Sequence, residues 1–254
     1  DKPGIKGVMV PTMWHGFPSY GSEHYDRVWA ACAETGLVVH THSGEADFNS
    51  YGENVAMYIS EVPFWTHRIL WQLLFSGKFD RFPGLKYAVV ECGSFWVGDL
   101  LWKSDVNFGG SSKIKKLGTR MKGLVSKLPS EYFGTSVFIG ASTMSLEEIR
   151  RRHVNGIDAL MWGTDYPHPE GSWPKTVERL ENDFREVSIE DTRRLLGFNA
   201  VECYGLDLGG LTKVAERVGP TPEDLNQDPN LRTPRDATQA ARWWLDEYGC
   251  ELKY

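Results

Sequence analysis

Three stretches place ionisable side chains where apolar runs end. LVVHTH (37–42) delivers two imidazoles just before Ser43-Gly44. Side chains alternate along a strand, so His40 and His42 share one face and Thr41 takes the other. Two imidazoles on one face suit a metal site or an acid–base site; two satisfied polar core residues are the plainer alternative. In KYAVVECGS the run ends on Glu91. Alternation puts Tyr87, Val89 and Glu91 on one face and Cys92 on the other. A carboxylate there is costly unless it is paired, hydrogen-bonded or metal-bound, and an ion pair with Lys or Arg would satisfy it structurally. Cys92 fits a buried inert thiol better than a ligand.

The third stretch is GTDYPHPE (163–170). A strand delivers Asp165, and Pro167 and Pro169 stiffen the turn that carries His168 and Glu170. Asp165 could bind a metal or deprotonate water, or it could cap the next helix. His168 could move protons. His15, after the first strand, could also face the site or lie on a surface loop. His24, His67 and His153 fall within expected helices and read as structural. Aromatic residues make up 13% of the chain. Most belong to packing, but those beside the polar motifs would suit a pocket for a bulky, largely apolar substrate. The substrate-facing candidates are therefore Trp14, His15, Trp96, Tyr166, Glu170 and Trp173.

These motifs need strands that end at a common rim. IKGVMVP (5–11), LVVHTH, KYAVVE, SVFIGAS (136–142) and DALMWGTD (158–165) read as strands. Tyr25–Thr35, 53–76 with an interruption at Pro63, Phe95–Val106 and 145–153 read as helices between them. Gly36 is placed to end the first helix, and Ser145 with Glu148 has capping-box spacing. Strand–helix alternation predicts a parallel sheet with helices outside, whose ligand site lies at the carboxyl ends of the strands. Closing helices follow to residue 207. A proline-containing arm (208–254) then packs on the body or on a partner, with a last helix near 236–248.

Length and composition fit this plan. The 254 residues allow a sizeable core, and 41% hydrophobic against 24% charged residues excludes general disorder. Acidic residues outnumber basic ones, 34 to 28. That balance is a poor default for binding nucleic acid, and the lysine-rich stretch at 113–127 reads as a solvated face. Cys32, Cys92, Cys203 and Cys250 form no CxxC pair, which argues against a zinc knuckle and fits a reducing, cytoplasmic setting. No apolar run reaches membrane-spanning length, and no signal peptide is visible. The chain also lacks an initiator Met.

Taken together, VVHTHSG, FPGLKYAVVECGSFW, MWGTDYPHPEGSWP and LLGFNAVECYGL resemble the amidohydrolase superfamily, in the branch related to aminocarboxymuconate-semialdehyde decarboxylase. They occur in family order and cover most of residues 5–207. The resemblance implies a metal-dependent α/β fold, the (β/α)8 TIM barrel. It matches His42 to the family histidine at the end of strand five. It matches Asp165 to the aspartate at the end of strand eight, a metal ligand and base, and it brings His168 near the substrate. Glu91 stands where the family commonly has a histidine at the end of strand six. The strand-one HxH motif is absent, and the first strand here resembles strand four, without that strand's metal-bridging lysine. Residues 1–207 thus resemble strands four to eight, and an open piece of that kind would expose a large apolar face.

The leading expectation is an enzyme that holds a divalent ion with His42, Glu91 and Asp165, with His40 as a further donor. Zinc, manganese or iron would serve, one or two ions per site. It would hydrolyse or non-oxidatively decarboxylate a bulky carboxylate, with Asp165 and His168 handling protons. One alternative is a non-haem diiron oxygenase on the same barrel, because some proteins similar to this branch, from diterpenoid antibiotic biosynthesis, are diiron hydroxylases. The other is an inactive barrel kept as a binding or assembly subunit. The expected partners are a small-molecule substrate, further copies in a homo-oligomer, and a separate segment supplying the absent strands, with no nucleic acid and no membrane.

Overall fold

A computed structural model of the chain describes residues 4–12, 16–44, 51, 54–109 and 125–250. Trp14, His15 and most of the lysine-rich stretch lie outside them. The sequence expectation of alternating strands and helices is met. Five strands, β1 (Gly7–Met9), β2 (Val38–His42), β3 (Tyr87–Val90), β4 (Val137–Gly140) and β5 (Leu160–Met161), form one sheet in the order β1-β2-β3-β4-β5. Every pairing is parallel. Sequential parallel order is that of neighbouring staves in a barrel, so the fold is α/β and represents part of one.

Helices connect the strands. α1 (Asp26–Thr35) precedes β2; α2 (Val55–Phe75) and the short α3 (Lys78–Arg81) precede β3; α4 (Phe95–Gly109) precedes β4; α5 (Leu146–Arg150) precedes β5. Gly36 ends α1 with φ of 69°, the left-handed cap expected of it. α2 runs through Pro63 where the sequence suggested a break. Proline removes one N–H there, and the carbonyl released belongs to Ile59, an exposed residue on the solvent side. The opposite face of α2 buries Val62, Ile69, Leu70, Leu73 and Leu74, which outweighs the lost bond.

The strands are shorter than their apolar runs but alternate as expected. Val39, Tyr87, Val89, Val137, Ile139 and Leu160 face the helices and are wholly buried, within the main core that also holds Leu70, Leu73, Leu101 and Trp29. Each such aliphatic side chain contributes about 1.5–3 kcal/mol. Val38, Ala88, Phe138 and Met161 lie on the other face, under Cys203, Ala200 and Tyr204. Those three residues belong to α8 (Asn199–Tyr204), which follows α6 (Thr176–Phe184), α7 (Ile189–Arg193) and a π-helical turn at Arg194–Phe198. Asn199 fixes α8 beneath β5 by donating to the carbonyls of Ile157 and Leu160 at 2.7 and 2.6 Å.

Beyond residue 207 the chain forms α9 (Leu208–Val218), α10 (Ala237–Ala241) and α11 (Trp244–Glu247). The last two replace the single expected helix. α11 is anchored by Trp244, whose indole N–H donates to Asp105 of α4 at 3.0 Å. Gln227 ties the intervening segment to the carbonyls of Phe184 and Val187. Among the described residues no helix is long and apolar enough to cross a membrane.

Candidate metal centre at the strand ends

β2 and β3 are in register, His42 opposite Val90, so the residue after Val90 emerges beside His42. That residue is Glu91, and its Oε2 lies 2.8 Å from His42 Nε2. Simple alternation would have sent Glu91 to the face of Tyr87 and Val89. β3 stops at Val90, however, and Glu91 has φ of 58°. The left-handed residue ends the alternation and turns the carboxylate towards β2. A non-glycine residue held there costs on the order of 1 kcal/mol or more, and such strain concentrates at functional sites. Ser142 after β4 and Asp165 after β5 share the conformation, with φ of 54° and 57°.

The His42 ring is also held from behind. Nδ1 lies 2.5 Å from the Ser43 carbonyl oxygen. A carbonyl only accepts, so Nδ1 carries a proton and Nε2 is the atom turned to Glu91, either as a second N–H donor or as a lone pair beside a cation. A lone pair and a carboxylate at 2.8 Å repel unless a cation or a further proton lies between them. An imidazole with its remote nitrogen fixed by a carbonyl, facing a carboxylate, is a donor set that fits a divalent ion. No Lys or Arg pairs with Glu91 among the described residues.

Asp165 forms a second pair. Its Oδ2 lies 3.3 Å from His168 Nδ1. It does not cap the next helix, which starts only at Thr176. β5 is two strands from β3, about 10 Å at ordinary inter-strand spacing. The expected trio therefore stands as two pairs on one rim, and among the described residues no group of three His, Cys, Asp or Glu is arranged to hold an ion. His40 lies lower on the face shared with His42. Its Nε2 is 2.9 Å from the Tyr204 hydroxyl and its ring stacks on that tyrosine. Gly7 leaves it room, since a Cβ there would stand 2.2 Å from the ring. Burial pulls the His40 imidazole below its ordinary value, against backbone hydrogen bonds at Val8 and Val38 that act the other way, and so favours the uncharged ring.

The substrate-facing candidates are spread out. Tyr166 and Trp173 are well exposed and meet edge to face at 5.7 Å. Glu170 is exposed, and its backbone N–H donates to His168 Nδ1 at 3.4 Å. Trp96 instead stacks on His67 at 4.2 Å, behind the turn that carries Glu91. Burial pushes the Cys92 thiol up to about 12, so it stays protonated. An open cleft of about 400 Å³ lies along Gly171–Lys175, Glu178, Arg179 and Asn182, and none of the four rim residues lines it. Sequence reasoning missed that Glu148 accepts from the Ser94 N–H in the turn after β3, at 2.6 Å. Its capping-box spacing was visible, but its reach to the turn after β3 depends on how two distant loops meet.

A parallel α/β sheet in sequential order, with ionisable residues at its carboxyl ends, is the arrangement of neighbouring staves of a (β/α) barrel. The family model described as Amidohydrolase matches residues 1–206, and the chain belongs to that family. Solved structures agree on the fold. A 5-carboxyvanillate decarboxylase from Sphingomonas paucimobilis aligns with a TM-score of 0.61 at 21% identity, over 80% of this chain and 59% of that one. Another from Novosphingobium aromaticivorans DSM 12444, complexed with manganese and 4-hydroxy-3-methoxy-5-nitrobenzoic acid, gives 0.62 at 18%, over 80% and 57%. An amidohydrolase from Mycobacterium avium subsp. paratuberculosis K-10 gives 0.56 at 26%, over 75% and 47%. The chain thus spans about half to three fifths of the length of these structures. No curated protein sequence matches it.

Proposed function

We propose that this chain carries part of the active site of a metal-dependent enzyme that removes a carboxyl group, without oxidation, from a bulky and largely apolar carboxylate. Hydrolysis is the other reaction the same groups would serve. The observation that carries the reading is the strained Glu91 facing the Nε2 of His42 at the barrel rim. Family membership and the decarboxylases among similar folds support it. Manganese is the metal named with several of those folds, and it suits a carboxylate-containing donor set.

His42 and Glu91 would hold the ion, with Asp165 on the same rim. When bound, a divalent ion supplies a Lewis acid. The protein's own work is proton handling. His168 Nδ1 meets a carboxylate oxygen of Asp165 at 3.3 Å and the N–H of Glu170 at 3.4 Å. A protonated Nδ1 satisfies Asp165, and a bare one accepts from Glu170. The ring can hold or release a proton at Nδ1 without turning. Tyr166 and Trp173 offer apolar surface beside it.

The iron-oxygenase and inactive-barrel alternatives rest on sequence alone. So do the homo-oligomer, the strand-supplying segment, the 208–254 arm as a separate unit and the cytoplasmic setting. Manganese-loaded protein should release carbon dioxide from members of a panel of substituted hydroxybenzoates. Glu91→Gln should lower that rate about 100-fold or more. Metal-dependent ester or amide cleavage without carbon dioxide would move the assignment to hydrolysis. Turnover unchanged by Glu91→Gln would overturn the reading.

A further inference from the structure

We propose that Glu148 is a positioning residue that, with Trp96, locks the turn after β3 and so presents Glu91 to His42. The proposal rests on the metal-centre reading above. The turn needs holding. Glu91 and Gly93 both take left-handed φ, 58° and 61°, with Cys92 between them. Two such residues in three leave the loop without a regular ladder.

Two side chains supply the missing bonds. The Trp96 indole N–H lies 3.2 Å from the Cys92 carbonyl and 3.1 Å from that of Gly93. Glu148 takes the other end. Its Oε1 accepts from the Ser94 N–H at 2.6 Å and from the Ser94 hydroxyl at 3.0 Å. Its Oε2 accepts from the Ser145 N–H and hydroxyl, each at 2.9 Å. Glu148 is buried and Ser94 wholly so.

A capping box needs only one of these oxygens, and glutamine serves there as well as glutamate. The second oxygen reaches a residue 54 positions away, at the start of α4. Helix capping does not explain that reach. Each oxygen faces a backbone N–H, which can only donate, so a carboxylate fits both ends and an amide fits one. The result is a buried strut between the turns after β3 and β4, the first of which carries Glu91.

Glu148→Gln tests this, because it keeps the shape and sets an NH2 group against a backbone N–H. The readouts are amide hydrogen exchange across residues 91–96 and the Mn²⁺ dissociation constant of the full chain. Trp96→Phe is the second variant should Glu148→Gln fail to fold, and Gln227→Ala is a destabilised control remote from the rim. The expected result is exchange at 91–96 at least tenfold faster and Mn²⁺ binding about 10–100-fold weaker in the two clamp variants. The control should melt earlier with both readouts unchanged. If the folded clamp variants match wild type in exchange at 91–96, the strut is refuted. If wild type binds no Mn²⁺, the metal reading fails, and the exchange result alone decides for or against the strut.

Discussion

Glu91 and Asp165 occupy the same unusual backbone state, φ of 58° and 57°, the first directly after β3 and the second in the loop that follows β5. Neither is glycine, and each aims its carboxylate at a histidine: His42 at 2.8 Å and His168 at 3.3 Å. The fold holds two carboxylate–imidazole pairs on one rim through matching local strain.

That strain predicts a trade between stability and binding. Glycine adopts φ near 60° freely, so Glu91→Gly should relieve backbone strain while losing only a partly exposed pair. Its unfolding free energy in urea should lie within about 1 kcal/mol of wild type. Its Mn²⁺ affinity should drop beyond detection. A loss of several kcal/mol would show that Glu91 is mainly structural.

His67 links stability to pH. Burial pushes its imidazole down to about 4, whereas the unfolded chain protonates it near 6.5. The unfolded state therefore binds the proton first as pH falls. Stability from the neutral ring is complete above about 6.5 and is lost progressively as pH drops towards 4. His67→Phe keeps a ring for Trp96 to stack on and should flatten the melting temperature across that window. An unchanged slope would assign the acid sensitivity to other groups.

Asp191 governs a lower window. Burial alone would raise its carboxyl, but hydrogen bonds from His153, Arg152 and Thr233 overcome that and hold it at about 2. Stability from this network should be intact above about pH 4 and fall as pH approaches 2. Asp191→Asn should remove that decline and cost on the order of 2 kcal/mol at pH 7. Urea unfolding at several pH values measures both.

The parallel sheet was legible because apolar runs alternate with helical periods, and the rim residues because they end those runs. The facing of Glu91 was not legible. Alternation predicts a strand's faces only while the strand lasts, and nothing in KYAVVECGS marks Val90 as its last residue. Trp96 stood beside a polar motif, but its packing on His67 depends on α2, folded from residues well upstream. The continuity of α2 through Pro63 was likewise set by tertiary burial rather than by local propensity.

We propose above that His42 and Glu91 share a divalent ion. A crystal of the chain grown with Mn²⁺ and measured at the manganese absorption edge tests it most directly. A shared ion should give an anomalous peak about 2 Å from both His42 Nε2 and a Glu91 carboxylate oxygen. Saturating Mn²⁺ that leaves that position without a peak, with the two side chains still in direct contact, would contradict it.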